Sequence, residues 1–393
     1  MVVRMAGANA AGTRRTWRSR IRILHVVTSL EPGGLENGVV NLANGLDRNR
    51  FETGIICLER LGAFCDRLAG DVSVRSLDKP PGFKWRAVMD LAREIRNQSP
   101  DIIHTHNLGP LTYGVLARVF SWSRAVIVQG EHAELTPEEK GPKRLRMRRT
   151  FFKACRAGHV VSAGLKDDLS AAGLPGDRFE VILNGVDCDR FSPATPIERA
   201  ELRREMGVPG DAIVIGICGR FGEFKGHERL LGAFDHLAAS YDKIWLLMVG
   251  DHGPRREATL ARREASPHRD RVLWMGYQAD PARFYQSMDL LAIPSENEGL
   301  SNAMLEAMAC GVPCLANTAC GAVEVIRDGV NGFLGALGGE ETLAASLGKL
   351  LAESGKLPLA GRAARQTATG QFSLESMIAG YSRFYESAVS GKP

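Results

Sequence analysis

The sequence has no long apolar run. Nothing in it approaches the ~20 residues that a helix needs to cross a bilayer, so a helical membrane protein is excluded. It has no Gly-x-Gly-x-x-Gly fingerprint either. Gly216, Gly219 and Gly222 come nearest, with the wrong spacing, which argues against a nicotinamide dinucleotide enzyme. The eight cysteines are scattered; Cys310, Cys314 and Cys320 cluster without matching a common zinc spacing. Cys57 and Cys218 lie in apolar runs, where a free thiol is a small core residue. Such thiols suit a reducing cytoplasm. Histidine is sparse, at nine residues. His104-Thr105-His106 has the look of a metal pair, but the further ligands that such a site needs after later strands are missing.

An excess of one charge is also lacking. Fifty Lys and Arg against 45 Asp and Glu leave a net +5, too mild for a nucleic-acid partner. Only two segments are one-sided. Lys143, Arg144, Arg146, Arg148, Arg149, Lys153 and Arg156 have no acid among them. This reads as a solvated helix face or as contact with an anionic membrane surface or lipid phosphate. Arg4, Arg14, Arg15, Arg18, Arg20 and Arg22 likewise precede any acid. The apolar run after them, 23–27, is interrupted by His25 and too short for a signal core. Residues 1–20 are expected to be a disordered tail or the product of a start codon set too early, with a transit peptide as the alternative.

What is present is alternation. Short β-branched runs at 23–27, 55–58, 102–104, 126–128 and 159–161 read as strands buried on both faces. Leu35, Val39, Leu42 and Leu46 fall at helical spacing between the first two. A second series follows at 213–218, 245–249, 272–274 and 290–293, with Leu230, Phe234 and Leu237 marking a helix. The expected fold class is α/β, with two Rossmann-like parallel-sheet domains facing a cleft. The segment 184–196, rich in turn residues and proline, reads as the hinge. Expected units are the tail, a first domain over 21–190, a second over 191–371, and a C-terminal helix over 372–393. Met377, Tyr381, Phe384 and Tyr385 give that helix its packed face.

Ligands of open α/β sheets collect beyond the carboxyl ends of the strands. Four groups of residues fall there. Gly33 and Gly34, after the first strand, permit close approach of the backbone to a phosphate or sugar. Asp101–Asn107 ends a strand with His106 toward the ligand side, and Gly130-Glu131-His132 ends the next; Glu131 and His132 are candidates for the same pocket. Gly219-Arg220 with Lys225 offers two cations to a diphosphate. The last group is the most informative. Strand 290–293 stops at Pro294, and Gly299, Leu300, Ser301 and Asn302 then open a helix whose first amides suit an anion. Glu298 and Glu306 flank that seat, eight positions apart. Carboxylates beside a phosphate seat are wrong for phosphate alone, but right for a ligand that also carries hydroxyls. Phosphate plus two sets of hydroxyls describes a nucleotide sugar. Asp187-Cys188-Asp189 spells the Asp-x-Asp of metal-dependent sugar transferases, but it lies in the hinge, away from the strand ends.

On these motifs the chain resembles the retaining glycosyltransferases of family 4, with the GT-B fold, over residues 21–390. Glu298 to Glu306, with Gly-Leu-Ser-Asn between them, is the most specific element. Gly33-Gly34, Asp101–His106, Asn184-Gly185-Val186-Asp187 with Phe191, and Gly219-Arg220 with Lys225 follow the family's order. The Gly-Gly-Leu-Glu-Asn run at 33–37 and Gly130-Glu131-His132 are similar to bacterial exopolysaccharide transferases. The resemblance implies that Arg220 and Lys225 hold the donor diphosphate and that Glu306 takes the ribose hydroxyls. It implies that Glu298 takes the donor sugar and that amides of Leu300–Asn302 contact phosphate or sugar. Gly33 and Gly34 would close over the donor, and His106 would sit near the transferred sugar. His106, Arg220, Lys225 and Glu298 are thus the expected catalytic set. The implied donor is a nucleotide sugar, UDP-linked, and the acceptor a glycan or lipid-linked glycan. No cofactor, no metal and no nucleic acid are expected. Attack is from the front face, with configuration retained and the leaving phosphate helping to take the acceptor's proton. The expected place is the cytoplasm, with peripheral attachment to the inner face of the membrane. A nucleotide-sugar epimerase of the same fold is the alternative reading.

Overall fold

The computed structural model describes residues 20–296, 299–318 and 321–391. The first half runs β1 (Ile21–Ser29), α1 (Gly34–Gly45), β2 (Phe51–Arg60), β3 (Ser73–Ser76), α2 (Trp85–Gln98), β4 (Ile102–His106) and α3 (Leu108–Ser121). It continues with β5 (Val126–Glu131), α4 (Pro142–Phe152), β6 (Ala157–Val160), α5 (Ala163–Ala171) and β7 (Phe179–Val181). Its seven strands are all parallel, in the order β3-β2-β1-β4-β5-β6-β7.

The second half runs α6 (Pro196–Glu205), β8 (Ile213–Cys218), α7 (His227–Ala238), β9 (Ile244–Val249), α8 (Arg256–Ala265), β10 (Val272–Trp274), α9 (Ala282–Ser287) and β11 (Leu290–Ile293). Then come α10 (Asn302–Ala309), β12 (Cys314–Asn317), β13 (Phe333–Gly335), α11 (Glu340–Ala352), α12 (Leu357–Gln371) and α13 (Leu374–Ser390). Its six strands, also parallel, are ordered β10-β9-β8-β11-β12-β13.

Side chains alternate between the two faces of a strand. On one face of the first sheet Leu24, Val26, Ile103 and Ile127 pack under α2 and α3. On the other, Ile23, Phe51, Ile102 and Val128 pack under α1 and α13. The C-terminal helix therefore belongs to the core of the first half, through Met377, Tyr381, Phe384 and Tyr385. It gets there beside the hinge. The Val186 amide donates to the Phe372 carbonyl at 2.8 Å, and the Leu374 amide returns to the Val186 carbonyl at 2.9 Å. The chain thus passes between the two halves twice, at one place. Asp187-Cys188-Asp189 forms a turn there: Asp187 Oδ1 accepts from the amides of Asp189 at 3.1 Å and Arg190 at 3.0 Å. That capping gives Asp187 a structural role in the hinge turn.

Candidate functional site

Each sheet reverses its strand order once, at β1/β4 and at β8/β11. A crevice opens at such a switch point, beyond the carboxyl ends of the strands. Gly33 and Gly34 follow β1, His106 ends β4, Gly219 and Arg220 follow β8, and the segment from Pro294 follows β11. The two switch points are in contact. Asn302 Nδ2 donates to the Gly34 carbonyl at 3.0 Å, and Asn184 Nδ2 to the Leu300 carbonyl at 3.0 Å. Gly299 lies against the first domain so closely that a Cβ there would stand 3.2 Å from the His132 carbonyl and 3.4 Å from Val161. Only a residue without a side chain lets the segment slide under His132 unperturbed.

The cationic loop joins the same edge. The Glu296 amide donates to the Phe224 carbonyl at 3.0 Å, tying the loop of Arg220 and Lys225 to the segment after β11. Arg220 also acts across the crevice. Burial raises the pKa of Glu36 in the first turn of α1, and a backbone hydrogen bond and then the charge of Arg220 offset part of that rise. Ser301 caps α10 through its backbone only, its side chain making no capping bond. The first amides of α10 therefore keep the anion-seeking character of a helix start.

Glu306 is half-buried in the second turn of α10. Tyr285 donates its hydroxyl to Glu306 Oε2 at 2.8 Å. Burial pushes the carboxyl up to about 7; Tyr285, Arg190 and Arg67 pull it down. An ionised carboxylate here has lone pairs left to accept further hydrogen bonds. Gly33, Gly34, Arg220, Lys225, Gly299, Leu300, Ser301, Asn302 and Glu306 therefore share one crevice with His106 and His132. Glu298, the remaining sequence candidate, lies outside the described residues.

The first domain contributes imidazoles. His25 is registered against His104, His106 against Gly130, and Gly130 against His159, so all side chains share the α13 face. His132 Nε2 meets His106 Nδ1 at 2.9 Å, and His106 Nε2 meets His25 Nδ1 at 3.1 Å. A second chain links Tyr385 to His104 Nδ1 at 2.8 Å, His104 to His159 at 3.0 Å, and His159 to Tyr381 at 3.4 Å. A Cβ on Gly130 would come within 2.5 Å of His159 and 2.9 Å of His132, so glycine makes room for the rings. Burial depresses all five imidazoles, His25 to about 3 and His132 to about 4, with His104, His106 and His159 well below 6.5. Ring nitrogens of His25, His104 and His106, and of His106, His132 and His159, lie within 4.8 Å of one another, near enough to hold a metal ion. A neutral imidazole donates one bond and accepts one, which allows the pairings within both chains. Nε2 of His25 is buried without a hydrogen-bond partner.

Two expectations are corrected. Glu131 does not line the pocket. It is 1% exposed, takes a bond from Gln129 Nε2 at 2.9 Å, and faces Arg148 at 3.5 Å. Gly130 is in register with His106 and His159 on the α13 face, so the next residue, Glu131, turns to the opposite face, toward Gln129 and Arg148. Arg148, expected at a membrane surface, is itself 1% exposed and paired with Glu139 at 3.0 Å. The α4 sequence shows an unbroken row of cations; burial singles out the one that folds inward. Sequence reading also missed Glu36, Tyr285, Arg67, His25 and His159. Tyr285 and Arg67 arrive from distant segments, and no local pattern announces them. The period-two alternation Ile23–His25 and Ala157–His159 did carry a signal.

Comparison with known proteins places this architecture. A family model described as group 1 glycosyl transferases matches residues 198–367, and one described as glycosyltransferase family 4 matches residues 32–190. The chain belongs to the family 4 glycosyltransferases, with two parallel-sheet domains in the GT-B arrangement. Over 232 residues it is 33% identical to a D-inositol 3-phosphate glycosyltransferase of Xylanimonas cellulosilytica, covering 56% of this chain and 54% of that one. The match thus spans about half the length of that relative. N-acetyl-alpha-D-glucosaminyl L-malate synthase of Bacillus anthracis is 26% identical over 80% of this chain and 82% of its own. The lipopolysaccharide core biosynthesis glycosyltransferase LpsE of Rhizobium meliloti is 26% identical over 77% and 87%. Among solved structures, Anabaena HepE in complex with UDP and glucose superposes with a TM-score of 0.82 at 23% identity, over 93% of this chain and all of that one. WaaG, a glycosyltransferase of lipopolysaccharide biosynthesis, gives 0.74 at 18% over 92% and 99%. At such identities the likeness is one of fold.

Proposed function

We propose that the protein is a metal-independent, retaining glycosyltransferase that moves a sugar from a nucleotide sugar, a UDP-sugar, to a glycan or lipid-linked acceptor in polysaccharide biosynthesis. One observation carries the reading: the loop of Arg220 and Lys225 and the start of α10 meet on one edge, against Gly34 and His132 of the other domain. Breaking the bond from the anomeric carbon to phosphate leaves charge on the diphosphate. Cations and helix amides aimed there stabilise the transition state more than the ground state. Glu306 receives the ribose hydroxyls, Glu298 the sugar hydroxyls, and His106 lies beside the transferred ring. Neutral imidazoles suit that place, because they offer hydrogen bonds without competing for the diphosphate. The UDP-bound state of the HepE fold supports UDP as the nucleotide, and the relative of lipopolysaccharide core biosynthesis supports a glycan acceptor.

The acceptor reading includes an anionic membrane surface met by Lys143, Arg144, Arg146, Arg149 and Lys153, all exposed on or just after α4. Among the described residues no helix is long and apolar enough to cross a membrane. Attachment of a cytoplasmic enzyme would then be peripheral.

The test is a thermal-shift screen over nucleotide sugars, followed by turnover of the best stabiliser in chelator. UDP-sugars are expected to stabilise, with UDP and a retained glycoside released once acceptor is added. Conversion of the donor into a sugar isomer without acceptor would make the protein an epimerase. Stabilisation by no nucleotide sugar would end the proposal.

A further inference from the structure

Sugar transfer as proposed engages one imidazole of the first domain, His106. His25, His104, His132 and His159 gather four more around it, a surplus of nitrogen ligands at one place. Two triads, His25 with His104 and His106, and His106 with His132 and His159, bring ring nitrogens within 4.8 Å of one another. Ligands of a tetrahedral ion with zinc–nitrogen bonds of ~2.0–2.1 Å stand roughly 3.3–3.4 Å apart. Spacings of this size close on an ion after small turns of the rings. The hydrogen bonds among the imidazoles do not use every nitrogen either, since Nε2 of His25 is buried without a partner.

The triads differ in access. His25, His104 and His106 are at most 2% exposed and offer an ion no way in. The other triad includes His132, which is half-buried at the crevice. His132 Nε2 already stands 2.9 Å from His106 Nδ1. His132 Nε2 and His159 Nε2 converge over the missing side chain of Gly130, where a Cβ would lie 2.9 and 2.5 Å from them. Glycine thus leaves a cradle between two of the three ligands. Partners stand behind the triad as they do behind metal-bound histidines, fixing ring and tautomer. His25 Nδ1 lies 3.1 Å from Nε2 of His106, and the Tyr381 hydroxyl 3.4 Å from Nδ1 of His159. Ligating imidazoles must be neutral, and burial keeps all three so.

The ligand type selects the ion. Imidazole suits zinc and the later first-row metals, whereas magnesium, calcium and manganese want oxygen. The one carboxylate nearby in sequence, Glu131, turns away to Arg148. We propose that His106, His132 and His159 form a binding site for a divalent transition-metal ion of the zinc type, with a fourth position left to water. Uptake exchanges the His106–His132 and His159–His104 hydrogen bonds for coordinate bonds, while His104 keeps Tyr385. Sugar transfer does not need the ion. A filled site takes His106 away from the transferred sugar, so zinc is expected to inhibit; this consequence, unlike the site, rests on the proposed reaction.

The full chain, stripped with chelator, is titrated with Zn²⁺ against a chromophoric chelator and with Co²⁺ by visible absorption. One ion per chain is expected, with the bands of four-coordinate cobalt and no thiolate charge-transfer band. X-ray absorption of the zinc-loaded wild type should show nitrogen at about 2.0 Å with imidazole scattering; this reading needs no variant to fold. His132→Ala and His159→Gln should each weaken binding beyond the roughly 10- to 100-fold typical of losing a partner behind a ligand, and His25→Leu should fall within that range. His236→Ala, exposed on α7, should change nothing. Equal affinity in wild type, His132→Ala and His159→Gln would overturn the proposal. So would thiolate bands, oxygen-only coordination, or no uptake by wild type, which would leave the imidazoles a hydrogen-bonded network alone. One equivalent of Zn²⁺ should abolish most turnover, and chelator should restore it. Binding at the triad without inhibition would support the site and displace His106 from its place beside the sugar.

Discussion

The two domains share a topology and differ in what lines their switch points. In the second domain the lining is charged: Arg220 and Lys225 after β8, Glu306 under the start of α10. In the first, apart from Glu36 and Arg67, it is a set of five imidazoles from β1, β4, β6 and the residue after β5, all held unprotonated by burial. On the proposed reading, the charged side would hold the diphosphate and absorb its leaving charge. The imidazole side would meet the sugar and the acceptor hydroxyl. The two linings differ in electrostatics, and each can be tested by altering its charge.

The contrast breaks most visibly on the charged side. Arg220→Ala and Lys225→Ala are each expected to lower kcat by about 10²- to 10³-fold, the scale for losing one preorganised stabiliser of transition-state charge. Far-ultraviolet circular dichroism and melting temperature should stay near wild type, because Arg220 is exposed and Lys225 half-buried. Near-normal turnover in both would show that the diphosphate lies elsewhere.

The neutral side predicts an effect on stability. Each imidazole has a pKa in the fold below its free value of 6.5, so the unfolded chain binds more protons than the native one. Stability from this source is fully present above about pH 6.5 and is lost as pH falls toward 4, by up to about 1.4 kcal/mol per pH unit per titrating group. Melting temperature should fall across that window. His25→Leu removes one fully buried group and should flatten the slope by one proton's worth. An unchanged slope would mean that His25 titrates in the fold as it does in water.

Much of this division can be read from the sequence, for a physical reason. Buried parallel strands are near-continuous apolar runs, and strand ends that need glycine or a cation break them visibly. The runs at 213–218, 272–274 and 290–293 match β8, β10 and β11 residue for residue. The edge strands β3, β7 and β13, only three or four residues long, carry no comparable run. The donor side was open to the same reading because its groups lie in two short segments. The imidazole layer was not, because His25, His106 and His159 come from separate strands and His132 from the end of another. Register alone joins them, and register is a property of the sheet. The same limit misplaced Glu131 and Arg148: both sit in runs of polar residues, and only the packing of α4 on the sheet tells which ones turn inward.

Glu306 sharpens the comparison, since it is a charged-side group that burial has made nearly neutral. Its carboxyl, raised from 4.5 to about 7, costs stability as pH rises between those values. Ribose hydroxyls donate to the ionised form, so donor binding should tighten as pH rises through about 7. Glu306→Gln should remove this dependence, leaving affinity near wild type at pH 6 and about tenfold weaker at pH 8. Tyr285→Phe deletes a bond that favours the carboxylate and should move the inflection upward. Titration calorimetry with donor across pH reads both; a pH-independent wild type would contradict the ribose role.

The smallest effect concerns how the two linings are held face to face. Besides Asn302 on Gly34, the Glu324 carboxylate spans the domains by accepting from the amides of Ala163 at 2.7 Å and Gly164 at 2.6 Å. Those amides open α5, so the carboxylate also meets the positive end of a helix dipole. Glu324 is exposed, and water screens the interaction. Glu324→Gln keeps an acceptor and loses the charge; Glu324→Ala loses both. KM for donor should rise no more than about threefold in the alanine variant and less in the glutamine one. The radius of gyration in solution scattering should increase slightly as open arrangements gain population. If both variants scatter as wild type while KM still rises, the contact acts on the local order of α5 and not on closure, and the crevice owes its shape to contacts such as those of Asn184, Gly299 and Asn302.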